Sequence, residues 1–165
     1  MGVSEILTPE HVSVAGQAEG VVTTKREAIR RLAALLAQPA SSNPRQGASA
    51  EEIERVLMER ERLQSTGVGG GVAIPHGSLD KLDRTLGAVL LCPSPIDFDA
   101  IDGAPVSILF AVVGPRRAAG EHLKTLARVS KLLRDDRFRQ RLVSAKSGRD
   151  AYTLIAAEEA RVSAP

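Results

Sequence analysis

His76, one of only three histidines in the chain, closes the run Ser65-Thr66-Gly67-Val68-Gly69-Gly70-Gly71-Val72-Ala73-Ile74-Pro75-His76-Gly77. Neutral imidazole is a nucleophile at ordinary pH and can carry a transferred group on a ring nitrogen. Four glycines within positions 67 to 71 cost too much backbone entropy to be filler. The usual reason for such a run is a tight turn, or close approach of the backbone to a ligand, often an anion. These residue types point to a chain that carries something on His76, with Thr66, Gly67, Gly69, Gly71 and Gly77 forming the loop around the anion. A histidine that merely occupies a structural turn is the plainer alternative.

His122 is the natural second partner. It lies in the first turn of a helix that follows Gly114-Pro115 and Gly120. Unpaired N–H groups and the dipole at a helix start favour an anion and disfavour imidazolium. A neutral His122 can donate one hydrogen bond to an oxyanion. Its spacing to Leu126, Val129 and Leu133 equally suits a histidine closing one flank of a packed face. Arg60, a few residues before Thr66, is the candidate basic assistant, since a guanidinium grips phosphate oxygens in pairs. Its plainer alternative is a solvent-facing arginine among Glu59, Glu61 and Arg62.

Other chemistries fail on inspection. No Gly-Lys-Ser/Thr follows the glycine run, so it is not a P-loop. A dinucleotide fingerprint would need glycine where Val72 or Ile74 stands. A metal centre is not expected: His76 and His122 are too few ligands, and Cys92 and His11 lack tight spacing to them. No cofactor is implied.

The elements that must position these residues can be read from periodicity and caps. Residues 1–23 are mixed, with Val12, Val14, Val21 and Val22 apolar, and fit one short strand or a turn. Thr24-x-x-Glu27 is a capping box before Ile29, Leu32, Ala33, Leu35 and Leu36, and Pro39 ends that helix near Gln38. Residues 39–48 form a Pro/Ser-rich loop. Ser49-x-x-Glu52 caps a second helix with Ile53, Val56, Leu57 and Arg60. Val72-Ala73-Ile74 is a short strand end blocked by Pro75. Residues 86–91 and 106–113 read as strands buried on both faces, separated by a turn-rich stretch over 93–99. A helix over 119–134 is expected to turn Leu123, Leu126, Ala127, Ser130 and Leu133 inward, and helical pieces over 136–145 and 150–160 finish the chain. Helices first, strands in the middle and helices last predict an α/β fold, a mixed sheet covered by helices on both sides, in a single domain over residues 5–160.

Composition bounds the partners. Apolar residues make up 43% of the chain but aromatics only 2%, so the core is expected to be aliphatic and stacking on nucleobases has almost nothing to work with. A formal charge of +2 is too small to announce a nucleic-acid partner. Arg137, Arg139, Arg141, Lys146 and Arg149 crowd one stretch, a solvated helix face or a docking surface for an acidic partner. Cys92 ends an apolar run and reads as a buried hydrophobe. No apolar stretch is long enough for membrane insertion and no export pattern opens the chain, so a cytoplasmic protein is expected.

These motifs are similar to those of a known family. Arg60-Glu61, the run from Ser65 to Gly77, Pro95-Ile96-Asp97-Phe98-Asp99-Ala100-Ile101-Asp102-Gly103 with Pro105-Val106, and His122-Leu123 with Leu126-Ala127, Val129-Ser130 and Leu132-Leu133 occur in family order. The chain resembles the IIA proteins of the bacterial phosphoenolpyruvate-dependent phosphotransferase system, fructose/mannitol type, and within them the nitrogen-regulatory branch. The resemblance implies a mixed sheet of about five strands between helices. It also implies a phosphoryl acceptor at His76 Nε2, charged from the phosphocarrier protein HPr or its nitrogen-branch counterpart. His122 would steady the phosphoryl group and Arg60 would lie close by. Two roles remain open beside regulation: a sugar-specific IIA passing phosphate to a IIB component, and a binding module without catalysis. A longer 39–48 loop, and Gly70 where a side chain is common, depart from the pattern.

Overall fold

The computed structural model describes residues 2–16, 20–39 and 47–163. In chain order the elements are β1 (Val12–Val14), α1 (Lys25–Ala37), α2 (Ala50–Leu63), β2 (Gly67–Gly69), β3 (Val72–Ala73), β4 (His76–Ser78), β5 (Leu86–Ile96), β6 (Val106–Gly114), α3 (Ala119–Leu132), α4 (Asp136–Val143) and α5 (Gly148–Ser163). The loop expected over 39–48 falls, except at its ends, outside the described residues.

Helices α1 and α2 start where their caps dictate. Ser49 and Glu52 form a reciprocal capping box at α2. At α1, the Thr24 hydroxyl accepts the Glu27 N–H at 3.1 Å, while the Glu27 carboxylate accepts the Thr23 and Thr24 hydroxyls.

The strands form a six-stranded mixed sheet in the order β1-β5-β6-β3-β2, with β4 also paired to β6. β5 and β6 run antiparallel along their length, and β1 lies parallel to β5. β3 and β4 both run parallel to β6, at Ile108–Leu109 and Val112–Gly114 respectively. They are two halves of one interrupted strand beside β6, broken at Ile74-Pro75, which is why the sheet holds one strand more than expected.

Alternation along the central strands divides the core in two. Ala88, Leu90, Cys92, Leu109, Ala111 and Val113 pack in one layer with α1 and α2, while Val89, Leu91, Ile108, Phe110 and Val112 pack in the other with α3, α4 and α5. Helices therefore cover both faces, and strands buried on both sides read as unbroken apolar runs. All three phenylalanines, Phe98, Phe110 and Phe138, are fully buried, and the remainder of the core is aliphatic. Among the described residues no helix is long and apolar enough to cross a membrane.

Two expectations change. β5 does not stop at Leu91: it continues to Ile96, which pairs with Val106 after a register shift. The residues read as a turn, Pro93 to Pro95, are exposed in this irregular segment, where a proline's missing N–H costs no ladder bond. The inner face of α3 is also rotated from the one expected. His122, Thr125, Val129 and Leu132 are buried, while Leu123, Ala127 and Ser130 face outward. Thr125 is tolerated inside because its hydroxyl donates to the Glu121 carbonyl at 2.9 Å.

Candidate active site

His76 opens β4 directly after the break at Ile74-Pro75, paired in register with Val112 of β6. Pro75 cannot donate to the ladder, but its carbonyl accepts the Val112 N–H at 2.9 Å. The Ile74 carbonyl turns instead toward the His76 ring, whose Nδ1 lies 2.7 Å from it. A carbonyl only accepts, so Nδ1 must carry the proton and Nε2 keeps its lone pair. The ring is half-buried, and its pKa lies below the ordinary histidine value. Burial is the main cause; the Ile74 bond and the Glu61 carboxylate oppose it, and the Arg60 charge adds to it. Neutral imidazole with a free Nε2 is the nucleophilic form.

Gly77, next in the strand, has a packing role. A Cβ built there would stand 2.4 Å from Cγ1 of Val56, so glycine is what lets α2 lie against β4.

The ring of His122 faces that of His76, with centroids 5.9 Å apart and planes inclined at 53°. His122 is the fourth residue of α3 and is buried. Burial holds its pKa below the ordinary value, with His76 contributing. Its Nδ1 is buried and has no hydrogen-bond partner among the described residues. An unpaired buried N–H is the costlier orphan, so the proton belongs on Nε2.

Arg60 and His76 line one cavity of about 320 Å³, together with Gln64, Ser65, Thr66, Gly67, Ile74 and Ser130. The guanidinium also donates to the Gln64 carbonyl at 2.7 Å, closing the end of α2. It is therefore tied down at one nitrogen beside His76, not loose in solvent. Val68 and Ile101 line the same cavity and are 55% and 77% exposed. The site thus has an apolar rim.

The glycine loop departs from its expected role. Gly69, Gly70 and Gly71 all have positive φ; Gly69 ends β2, and Gly70 and Gly71 form the turn to antiparallel β3. Two backbone donors of this segment are used internally: Gly67 N–H bonds the Ser65 hydroxyl and Gly70 N–H bonds Asp102. Gly69 lines a neighbouring cavity, and neither it nor Gly71 lines the one at His76. The glycines serve the hairpin turn, and at Gly67 close contact, since a Cβ there would meet Ala100 Cβ at 2.7 Å. The space a side chain at Gly70 would enter is filled by the Arg139 guanidinium, at 3.3 Å from the built Cβ. Thr66 is buried and its hydroxyl donates to the Glu61 carboxylate, so that hydroxyl is already engaged within the protein.

Glu61 is the residue that sequence reasoning missed. Read there as a neighbour in a solvated cluster, it is buried, accepts the Thr66 N–H at 3.1 Å and lies 3.0 Å from the Lys25 ammonium. Its spacing from Ile53 and Leu57, i+8 and i+4, was the available signal that it shares their inward face.

A half-buried histidine with a committed Nδ1, a second imidazole facing it and an arginine on the same cavity suit the handling of a small anionic group. In line with this, residues 5–158 match the family model described as Phosphoenolpyruvate-dependent sugar phosphotransferase system, EIIA 2. The chain belongs to that family of phosphoryl carriers. Within it, the chain is 36% identical over 156 residues to the nitrogen regulatory protein of Bradyrhizobium diazoefficiens, covering 94% of this chain and 95% of that one. Among solved structures it is similar to the nitrogen regulatory protein IIA-Ntr from Neisseria meningitidis, with a TM-score of 0.80, 31% identity and coverage of 93% and 98%. The IIA mannitol structure from Escherichia coli shares the fold, with a TM-score of 0.70, 20% identity and coverage of 90% and 97%. The resemblance and the fold class read from the sequence are both borne out.

Proposed function

We propose that the protein accepts a phosphoryl group on Nε2 of His76 from an HPr-type phosphocarrier, and that this charge state regulates a partner protein. The observation that carries the reading is the Nδ1 contact to the Ile74 carbonyl, which leaves Nε2 as the one nucleophilic nitrogen. The Nε2 lone pair forms a bond to phosphorus as the bond from phosphorus to the donor's ring nitrogen breaks. That electron pair returns to the donor's imidazole. The His76 ring, now cationic, keeps its Nδ1 proton and donates it more strongly to Ile74. His122 Nε2–H and Arg60 are the groups that take up charge on the equatorial oxygens. The glycine turn is not assigned that role.

The exposed Val68 and Ile101 on the rim of the His76 cavity suit a transient protein interface around a reactive histidine. Phosphorylation would add close to two negative charges there, enough to turn away a target fitted to bare His76. The regulatory role is preferred because the Bradyrhizobium relative, matched over 94% of this chain, is a nitrogen regulatory protein. A sugar-specific IIA would use the same residues. Incubation with phosphorylated HPr-type donor, followed by target binding and by transfer to a IIB component, separates the two. Phosphate-dependent binding supports regulation, and rapid transfer to IIB supports transport.

A further inference from the structure

Glu61 is joined to the nucleophilic ring through the backbone. Its carboxylate, 2% exposed, accepts both the N–H and the hydroxyl of Thr66. The Thr66 carbonyl accepts the Ile74 N–H at 3.0 Å, and the Ile74 carbonyl faces His76 Nδ1 at 2.7 Å. Ile74 sits between β3 and β4, in the gap where the ladder to β6 is interrupted. The peptide that aims a carbonyl at His76 therefore takes its bearing from Thr66, and Thr66 from Glu61.

Lys25, at the start of α1, completes the arrangement. Its ammonium lies 3.0 Å from Glu61 and 4.7 Å from the centre of the Phe98 ring. A buried ion pair is weak support for stability, because desolvating two charges offsets their attraction. What such a pair supplies here is a fixed geometry, linked to His76 through Thr66 and Ile74.

We propose that Glu61, clamped by Lys25, is a positioning residue that holds Thr66 and Ile74 so that His76 keeps its proton on Nδ1 and presents Nε2. Glu61 is not itself in contact with the reacting atoms. The effect on transfer rests on the reading of His76 as phosphoryl acceptor; the effect on the tautomer does not.

The test uses the full chain labelled with ¹⁵N-histidine. Long-range proton–nitrogen correlations read the His76 tautomer in the wild type, Glu61→Gln and Thr66→Val, with His76→Ala for assignment. Glu61→Gln replaces one acceptor oxygen by a donor facing Thr66 and Lys25, and Thr66→Val removes the hydroxyl alone. The wild type is expected to show the proton on Nδ1 only. Folded Glu61→Gln is expected to show a mixture of tautomers, with kcat for phosphoryl acceptance lower by about tenfold and KM little changed. Thr66→Val should shift the same way by less, and it decides the matter if Glu61→Gln does not fold. A folded variant that melts earlier but keeps the pure Nδ1–H tautomer overturns the proposal while leaving His76 as acceptor. A tautomer shift in a protein that never takes phosphate upholds it and retires the acceptor reading instead.

Discussion

The imidazoles of His76 and His122 stand 5.9 Å apart, one from the start of a short edge strand and the other from the first turns of α3. β4 pairs with β6 in register at Val112, and α3 follows β6 after a short turn over 115–118, so both rings take their position from the central strand. The pair is held by packing: burial keeps both neutral, and a charge on either would raise the cost of a charge on the other.

That neutrality has a pH signature. Both histidines have folded-state pKa values below the ordinary value, chiefly through burial, so NMR titration should find both midpoints below about 6.5. Between the depressed values and the ordinary one, the unfolded chain binds more protons than the folded chain. Stability should therefore fall as pH drops through the ordinary histidine range and level off below the folded values. Phosphoryl acceptance should fall in acid on the folded-state midpoint of His76. A midpoint above 6.5 for either ring would contradict the account.

Replacing His122 by Ala should slow transfer by removing one donor to the phosphoryl group, with a loss of about 1–3 kcal/mol if that donor works in a buried setting. Stopped-flow transfer from phosphorylated donor measures it. Unchanged kinetics with a lower melting temperature would make His122 a packing residue only.

Much of this site was legible in the residues, and what was not has identifiable causes. The caps at Thr24 and Ser49, the two long apolar strands and the isolation of His76 beside Pro75 are local signals, and local signals fix elements. Which face of α3 points inward is not local. Leu123 is outside and Thr125 inside because the sheet, not hydropathy, chooses the face, and Thr125 can satisfy its hydroxyl within the helix. The glycines suggested an anion cradle because positive φ serves a hairpin turn and a phosphate nest equally well. Only the bonds from Gly67 to Ser65 and Gly70 to Asp102 distinguish the two. Glu61 was hidden by its charge.

Gly77→Ala would drive a Cβ toward Cγ1 of Val56, so it should destabilise the fold by about 1–3 kcal/mol as α2 is pushed from β4. Val56→Ala should recover part of that loss, a coupling readable by urea titration of both single variants and the pair. Additive losses would show that Gly77 is glycine for another reason.

Cys92 is 1% exposed, and burial pushes its thiol up to about 11. At neutral pH the native protein should resist alkylating reagents, while the denatured chain reacts quickly. Native labelling at the denatured rate would mean that this layer of the core opens readily.

The central claim is that His76 takes a phosphoryl group on Nε2, and phosphorus NMR with intact mass on the donor-charged protein tests it most directly. One added phosphoryl group is expected, acid-labile and base-stable, with the Nε2 phosphohistidine signature. His76→Ala should lose it while keeping the wild-type fold, since the half-buried ring lies outside both core layers. A phosphoryl group on Nδ1 of His76, on His122 or on His11 would contradict it.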